Sequence, residues 1–187
     1  MKTKIITLVA AIILVGTCLA KADLVFSSGH NTYDDSYGYN FEVWVENDAI
    51  LDVLGGEIGK LETINFATAN LYSSDIDWLW TRDSSVVNIY GDNINWLAAY
   101  DDSSINLYAY DVTYHPTGGG DYGNNEWIEG IYYSDASSFS FWLYNDEAYS
   151  HINIVPEPSS LILLGLGSLL WRKGLHKSGN FGIIESR

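Results

Sequence analysis

The 187-residue chain carries 24 Asp and Glu against nine Lys and Arg, and between positions 23 and 155 the imbalance sharpens to 22 acids against Lys60 and Arg82, a net charge of −20. That balance excludes nucleic acid and anionic lipid surfaces as partners, because both are held by Lys and Arg. The same stretch holds all 14 Tyr and six of the seven Trp, alternating with polar residues, which excludes disorder and predicts strands.

Residues 1–22 read as a signal peptide, a short helix ahead of the mature chain. Lys2 and Lys4 charge its start, residues 5–15 form its apolar core, and Ala20-Lys21-Ala22 supplies the small-residue cleavage pattern. Ala20 and Ala22 are therefore the positions expected to be read by signal peptidase, and Asp23 the mature N-terminus. The apolar run is shorter than the ~20 residues a membrane span needs. Cys18, the single cysteine, lies inside this segment. Bulky Thr17 before it disfavours lipid attachment. Cleavage after Ala22 leaves a mature chain with no disulfide, thiolate metal site or cysteine nucleophile.

Residues 23–155 are expected to form one repeat domain. Its signature is an 18-residue period that keeps Asp52, Asn70, Asn88 and Asn106 in one register. Val53, Leu71, Ile89 and Leu107 align as one aliphatic column, and Ile58, Ile76, Ile94 and Val112 as another. Tyr72, Tyr90 and Tyr108 align, as do Trp78, Trp96 and Tyr114, and Asp83 and Asp101 mark the same turn. Constant registration at a short period means stacked, near-identical units. Each unit has short alternating segments split by Gly, Asp, Asn or Ser, and no helical period.

The expected fold is all-β, a parallel β-solenoid with 18-residue coils, the aliphatic columns inside and an amide ladder along Asn70, Asn88 and Asn106. The alternative is an antiparallel β-meander, which would separate like columns by two strands. Coils are expected over about 41–114, with residues 24–40 capping the first. Residues 114–134 form an insertion, a looped excursion containing Gly118-Gly119-Gly120. The last coil is placed at 135–154, aligning D-A-S-S-F-S-F-W from Asp135 with D-D-S-S-I-N-L-Y from Asp101 at an offset of 34.

The chemical inventory of this domain is sparse. No nucleophile elbow, zinc-binding His pair or phosphate-cradling glycine loop occurs. His30, His115 and His151 are far apart and not at metal-ligand spacing. No cofactor and no catalytic residue are expected, and the chain reads as non-enzymatic. A solenoid lyase needs a basic residue in a cleft, and Lys60 and Arg82 sit on repeat positions instead. Asp75, Asp92, Asp101, Asp102 and Asp111 recur at turns and are the only calcium candidates. Turn formation explains the same residues without a metal and is preferred. Trp78, Trp96 and Tyr114, if the column faces outward, form a strip able to stack on sugars, with extracellular polysaccharide as the partner. Packing between coils or shielding of edges explains the same rings without a sugar and is preferred.

The C-terminal segment, 156–187, has its own grammar. Pro156-Glu157-Pro158 is followed by two serines, then by an apolar run comprising Leu161, Ile162, Leu163, Leu164, Gly165, Leu166, Gly167, Leu169, Leu170 and Trp171, then by Arg172 and Lys173. The prolines hold the backbone extended and open to a processing enzyme. The Leu/Gly run suits a membrane helix with a cytoplasmic basic stop, although 11 residues of helix span only about 16 Å. This order of parts resembles a PEP-CTERM sorting signal, and departs from it in continuing through residues 174–187. The resemblance implies processing by an exosortase near Pro156–Pro158. The expected localisation is export, transient membrane anchoring through the C-terminal helix, then the cell surface or extracellular matrix.

Overall fold

A computed structural model describes residues 23–116, 126–145 and 147–156. The expected signal helix, the cleavage residues Ala20 and Ala22, and the expected membrane helix lie outside the described residues. Among the described residues no helix is long and apolar enough to cross a membrane.

Five successive pairs of strands form the coils. They are β1 (Leu24–Phe26) with β2 (His30–Tyr33), β3 (Asn40–Val45) with β4 (Ile50–Val53), and β5 (Glu57–Thr63) with β6 (Thr68–Leu71). The stack continues with β7 (Asp75–Thr81) and β8 (Val86–Ile89), then β9 (Asn93–Ala99) and β10 (Ser104–Leu107). Four further strands close it: β11 (Ala109–His115), β12 (Glu126–Tyr132), β13 (Ser138–Leu143) and β14 (Ile152–Ile154). One sheet has eight strands in the order β1-β3-β5-β7-β9-β13-β12-β11, the other six in the order β14-β10-β8-β6-β4-β2.

From β1 to β10 every ladder is parallel, so the fold is a parallel β-solenoid. Residues 18 apart become direct neighbours: Leu61 faces Leu79 and Leu79 faces Leu97 in one sheet, and Asn70 faces Asn88 in the other. This is why the columns are uniform. A side chain in a parallel stack meets its own equivalent one strand spacing away. Val53, Leu71, Ile89 and Leu107 line one inner wall, and Leu61, Leu79 and Leu97 the other, all fully buried.

The turn after each long strand repeats as faithfully. Asn47, Asn65, Asp83 and Asp101 all take positive φ, between 57° and 61°. Asn and Asp tolerate that left-handed conformation better than other side-chain-bearing residues. Asp83 and Asp101 then use their carboxylates one coil back, Asp83 accepting from the Asn65 N–H at 2.9 Å and Asp101 from the Asp83 N–H at 3.3 Å. Beneath them the small side chains of Ala49, Ala67, Ser85 and Ser103 are buried. The Ser85 hydroxyl is bonded to the Thr81 hydroxyl at 2.8 Å and to the Thr63 carbonyl at 3.1 Å.

Three expectations need correction. Residues 24–40 do not cap the first coil; β1 and β2 are that coil, paired in parallel on β3 and β4. The excursion after Tyr114 is not simply a loop, because β12 runs antiparallel between β11 and β13. The strand at Ser138–Leu143 does not follow the register offset of 34. It joins the other sheet, with Trp142 on Trp96 and Leu143 on Leu97, while β14 supplies the partner of β10. The reason is local. Strand β13 alternates strictly, burying Phe139, Phe141 and Leu143, whereas β11 buries only Ala109 and is broken by Asp111 at φ 51°. The more apolar strand takes the place on β9, and β11 moves to the sheet's edge.

Candidate binding surfaces on the solenoid

The outer face of the eight-stranded sheet collects the aromatic residues. Pairing aligns Glu42, Lys60, Trp78, Trp96, Trp142, Trp127 and His115 in one row across the strands. Trp78 and Trp96 stack at 5.4 Å with planes 13° apart, and Trp96 continues onto Trp142 at 5.9 Å. His115 stacks on Trp127 at 3.8 Å and bonds to Glu129. Two of the three proposed sugar-contact residues, Trp78 and Trp96, are thus brought together. Tyr114 is not. It stacks on Tyr149 at 4.0 Å, and Trp142 holds the place the period assigned to it. The signal for Trp142 was the alternation S-F-S-F-W-L, which points the phenylalanines inward and the tryptophan out.

Stacking has a chemical consequence. Rings that lie face to face along the solenoid axis cover each other's faces and present edges to solvent. A sugar needs an open ring. Beside the row, a groove of about 320 Å³ is lined by Phe41, Trp78 and Tyr144 with Glu42, Lys60 and Asp77 around them. Phe41, the most exposed aromatic side chain of the groove, is 63% exposed. Gly59 forms part of the lining, and a Cβ there would come within 2.7 Å of both the Phe41 carbonyl oxygen and the Tyr39 hydroxyl oxygen. The glycine lets those two aromatics close down on the sheet. Sequence reasoning did not find Tyr39, Phe41 or Tyr144, because they fall outside the repeated columns.

Lys60 and Arg82, the only two cations of residues 23–155, share one acid on this face. Glu62, 3% exposed, sits 2.6 Å from Lys60 Nζ and 3.1 Å from Arg82 Nε. Lys60 lies over the rings of Trp44 and Trp80, at 4.7 and 4.5 Å, and Arg82 over Trp80 and Tyr100, at 4.9 and 5.2 Å. A buried carboxylate survives here because it is paired twice. The paired cations gain a further contact with the indole faces.

The six-stranded sheet carries a polar ladder. Asn106 donates to Asn88 at 2.8 Å, Asn88 to Asn70 at 2.8 Å, and Asn70 to Asp52 at 2.7 Å, and His30 closes the row on Asp52 at 2.7 Å. The donors of Asn70 and His30 hold the Asp52 carboxyl below its ordinary range against the opposing effect of its desolvation. Beside it Tyr72, Tyr90 and Tyr108 stack at 4.9 and 4.2 Å. Burial, with the neighbouring Tyr108 phenol, pushes the Tyr90 hydroxyl up to about 12.

A second concavity, of about 610 Å³, opens where the turns before β5, β7 and β9 meet the β12–β13 connection. Asp35, Glu57, Asp75, Asp92 and Asp135 line it. Asp92 is 8% exposed, and its Oδ1 accepts from both the Ser74 N–H and the Ser74 hydroxyl. Its Oδ2 is buried without a hydrogen-bond partner. Desolvation, only partly offset by the two Ser74 bonds, pushes the Asp92 carboxyl up to about 7. The Tyr132 hydroxyl donates to the Asp92 carbonyl at 2.9 Å, tying β12 to this corner.

Of the five calcium candidates, Asp75 and Asp92 share this cleft, whereas Asp101 braces the turn below Asp83, Asp102 is exposed beside it, and Asp111 lies in β11. Among the described residues no group of three or more His, Cys, Asp or Glu side chains is placed to hold a metal ion.

Among the described residues the last hydrogen bond onto the stack runs from the Val155 N–H to the Leu107 carbonyl, at 2.9 Å, one residue before Pro156. Residues 155–173 match the family model of the PEP-CTERM protein-sorting motif. The chain carries a PEP-CTERM sorting motif. That motif implies an exported protein processed by an exosortase. Glu157, Pro158, the apolar run from Leu161 to Trp171, and Arg172 and Lys173 lie outside the described residues. No curated protein and no solved structure matches the chain.

Proposed function

We propose that the protein is a non-enzymatic component of the cell surface or extracellular matrix. In this reading the solenoid is a rigid, strongly acidic module, delivered by its signal peptide and released or attached through cleavage at the sorting motif. The observation that supports it most is the junction at Val155 and Pro156. The pairing of the described residues reaches Val155, where the motif begins, so a cut at Pro156–Pro158 leaves every described strand in place. Intact mass of the protein recovered from the surface and medium of its host tests this. A chain beginning at Asp23 and ending near Glu157 is expected. A mass that retains residues 161–187 overturns exosortase processing.

The groove at Phe41 and Trp78 favours one further role, contact with extracellular polysaccharide. It combines open aromatic surface with Glu42, Lys60 and Asp77 as hydrogen-bonding groups, the mixture that sugar hydroxyls and ring faces require. Pull-down on insoluble polysaccharides should retain the wild-type protein and lose roughly tenfold in affinity on Phe41→Ala. No retention of either protein removes this role. Release of reducing sugar from the same polysaccharides would instead make the protein an enzyme and overturn the primary reading.

A further inference from the structure

Three exposed aromatic side chains, Tyr39, Phe41 and Tyr144, gather around the groove beside the tryptophan row. Exposed apolar surface collected in one place and rimmed by polar groups marks a binding site. At about 320 Å³ the groove falls at the small end of small-molecule sites. The charges around it decide what it takes. Lys60 is the only cation of the lining, and it is already engaged. Its Nζ lies 2.6 Å from Glu62, between the rings of Trp44 and Trp80 at 4.7 and 4.5 Å. Glu42 and Asp77 form no ion pair among the described residues. Each accepts instead from an uncharged donor, Glu42 from the Trp44 indole N–H at 3.2 Å and Asp77 from the Asn95 amide at 2.9 Å. An ionised carboxylate has about four acceptor positions, so one N–H leaves each of them with acceptor capacity.

We propose that the groove binds a neutral polysaccharide, an uncharged hexose polymer, and turns away polymers of sugar acids. This inference rests on the polysaccharide reading of the groove and names the class of glycan. Sugar hydroxyls donate to the remaining acceptor positions of Glu42 and Asp77, and the apolar faces of the pyranose rings pack on Phe41 and Trp78. A uronate would bring its carboxylate against Glu42 and Asp77. The domain around them has 22 acids and two cations, both held by Glu62, and like charges brought together cost affinity. A cationic polymer is drawn to the domain's field from a distance, but it meets Lys60 in the groove, and its attraction is screened by salt.

The test is calorimetric titration of the protein, at low and high sodium chloride, with hexasaccharides of glucose, mannose, galacturonic acid and glucosamine. At least one of the two neutral oligomers should bind, with an affinity that changes less than about twofold between the two salt concentrations. The galacturonate should bind roughly tenfold more weakly or not at all. Phe41→Ala should weaken the neutral oligomer roughly tenfold. The double variant Glu42→Gln/Asp77→Asn should narrow the gap between neutral and acidic oligomers, a change that loss of folding would not produce, and a thermal melt reports the folding of each variant. Galacturonate as tight as the neutral oligomers, glucosamine the tightest at high salt, or an unchanged gap in the double variant overturns the inference. If Phe41→Ala weakens the galacturonate or glucosamine oligomer that then binds, the groove is still a polysaccharide site and only the class of glycan is wrong. Binding of none of the four overturns both.

Discussion

From β5 to β10 each strand lies on the strand 18 residues before it, whereas β13 lies on one 46 residues earlier and is followed across the sheet by the antiparallel strands β12 and β11. The two regions bury their apolar side chains by different rules. In the coils a column is repeated, so an inner residue is flanked above and below by its period mates, as Leu79 is by Leu61 and Leu97. At the end nothing repeats, and placement is decided by which strand has the better apolar face. The difference teaches that the period fixes neighbours only while it lasts. Where it stops, alternation within one strand decides.

The largest expected effect separates the two regions by packing. Leu79 is fully buried in the middle of its column, so Leu79→Ala should cost about 2–5 kcal/mol in urea unfolding. Val112 is only partly buried, on the edge strand that lost its place in the stack, and Val112→Ala should cost about 1 kcal/mol or less. Equal losses at the two sites would mean that β11 is as much a part of the core as β7.

The cleft where coils and end meet offers the next test, through pH. The Asp92 carboxyl is raised from 3.8 to about 7 by burial. Below pH 3.8 it is protonated in both the folded and the unfolded chain and costs nothing. As pH rises toward 7 the unfolded chain gives up this proton and the folded chain keeps it, so stability falls over that window and levels off above it. Asp92→Asn should remove this component of the slope. At pH 8 the variant should be the more stable, by at most about 4 kcal/mol. A wild-type minus variant difference that stays flat from pH 4 to 8 would show that Asp92 is ionised at no cost, and that its Oδ2 has found a partner.

Legibility in the sequence follows the same divide. The parallel stack, the asparagine ladder and the inner columns as far as Ile94 were readable, because position 70 can align with 88 and 106 in one register only if the coils are equal; Val112, expected to continue the Ile58, Ile76 and Ile94 column, lies instead on the edge strand β11. The aromatic row was half readable. Trp78 and Trp96 are period mates, but Trp142 reaches the row through a strand that no period predicts. The groove and the cleft were not readable as sites. Phe41 reaches its groove over Gly59, and Asp135 joins the lining of the Asp92 cleft from the β12–β13 connection, and both bring together unlike segments. The sorting motif was the most legible part of all, since it is read as a linear order of residues and needs no fold.

The smallest expected effect concerns what the ladder contributes beyond registration. Asn88 is half-buried, donating to Asn70 and accepting from Asn106, while its backbone is already paired in the parallel ladder on both sides. Its side chain can therefore add only the net value of two amide bonds, about 1 kcal/mol once competition with water is counted. Asn88→Ala should lower the urea midpoint by that much and leave the slope unchanged. Asn153, at the far end, has a single long contact with Asn106, 3.5 Å, besides its bond to Ser104. Asn153→Ala should therefore cost less than Asn88→Ala. If it costs more, the last coil depends on the ladder rather than on the apolar residues of β13, and the rule inferred for the end of the molecule is wrong.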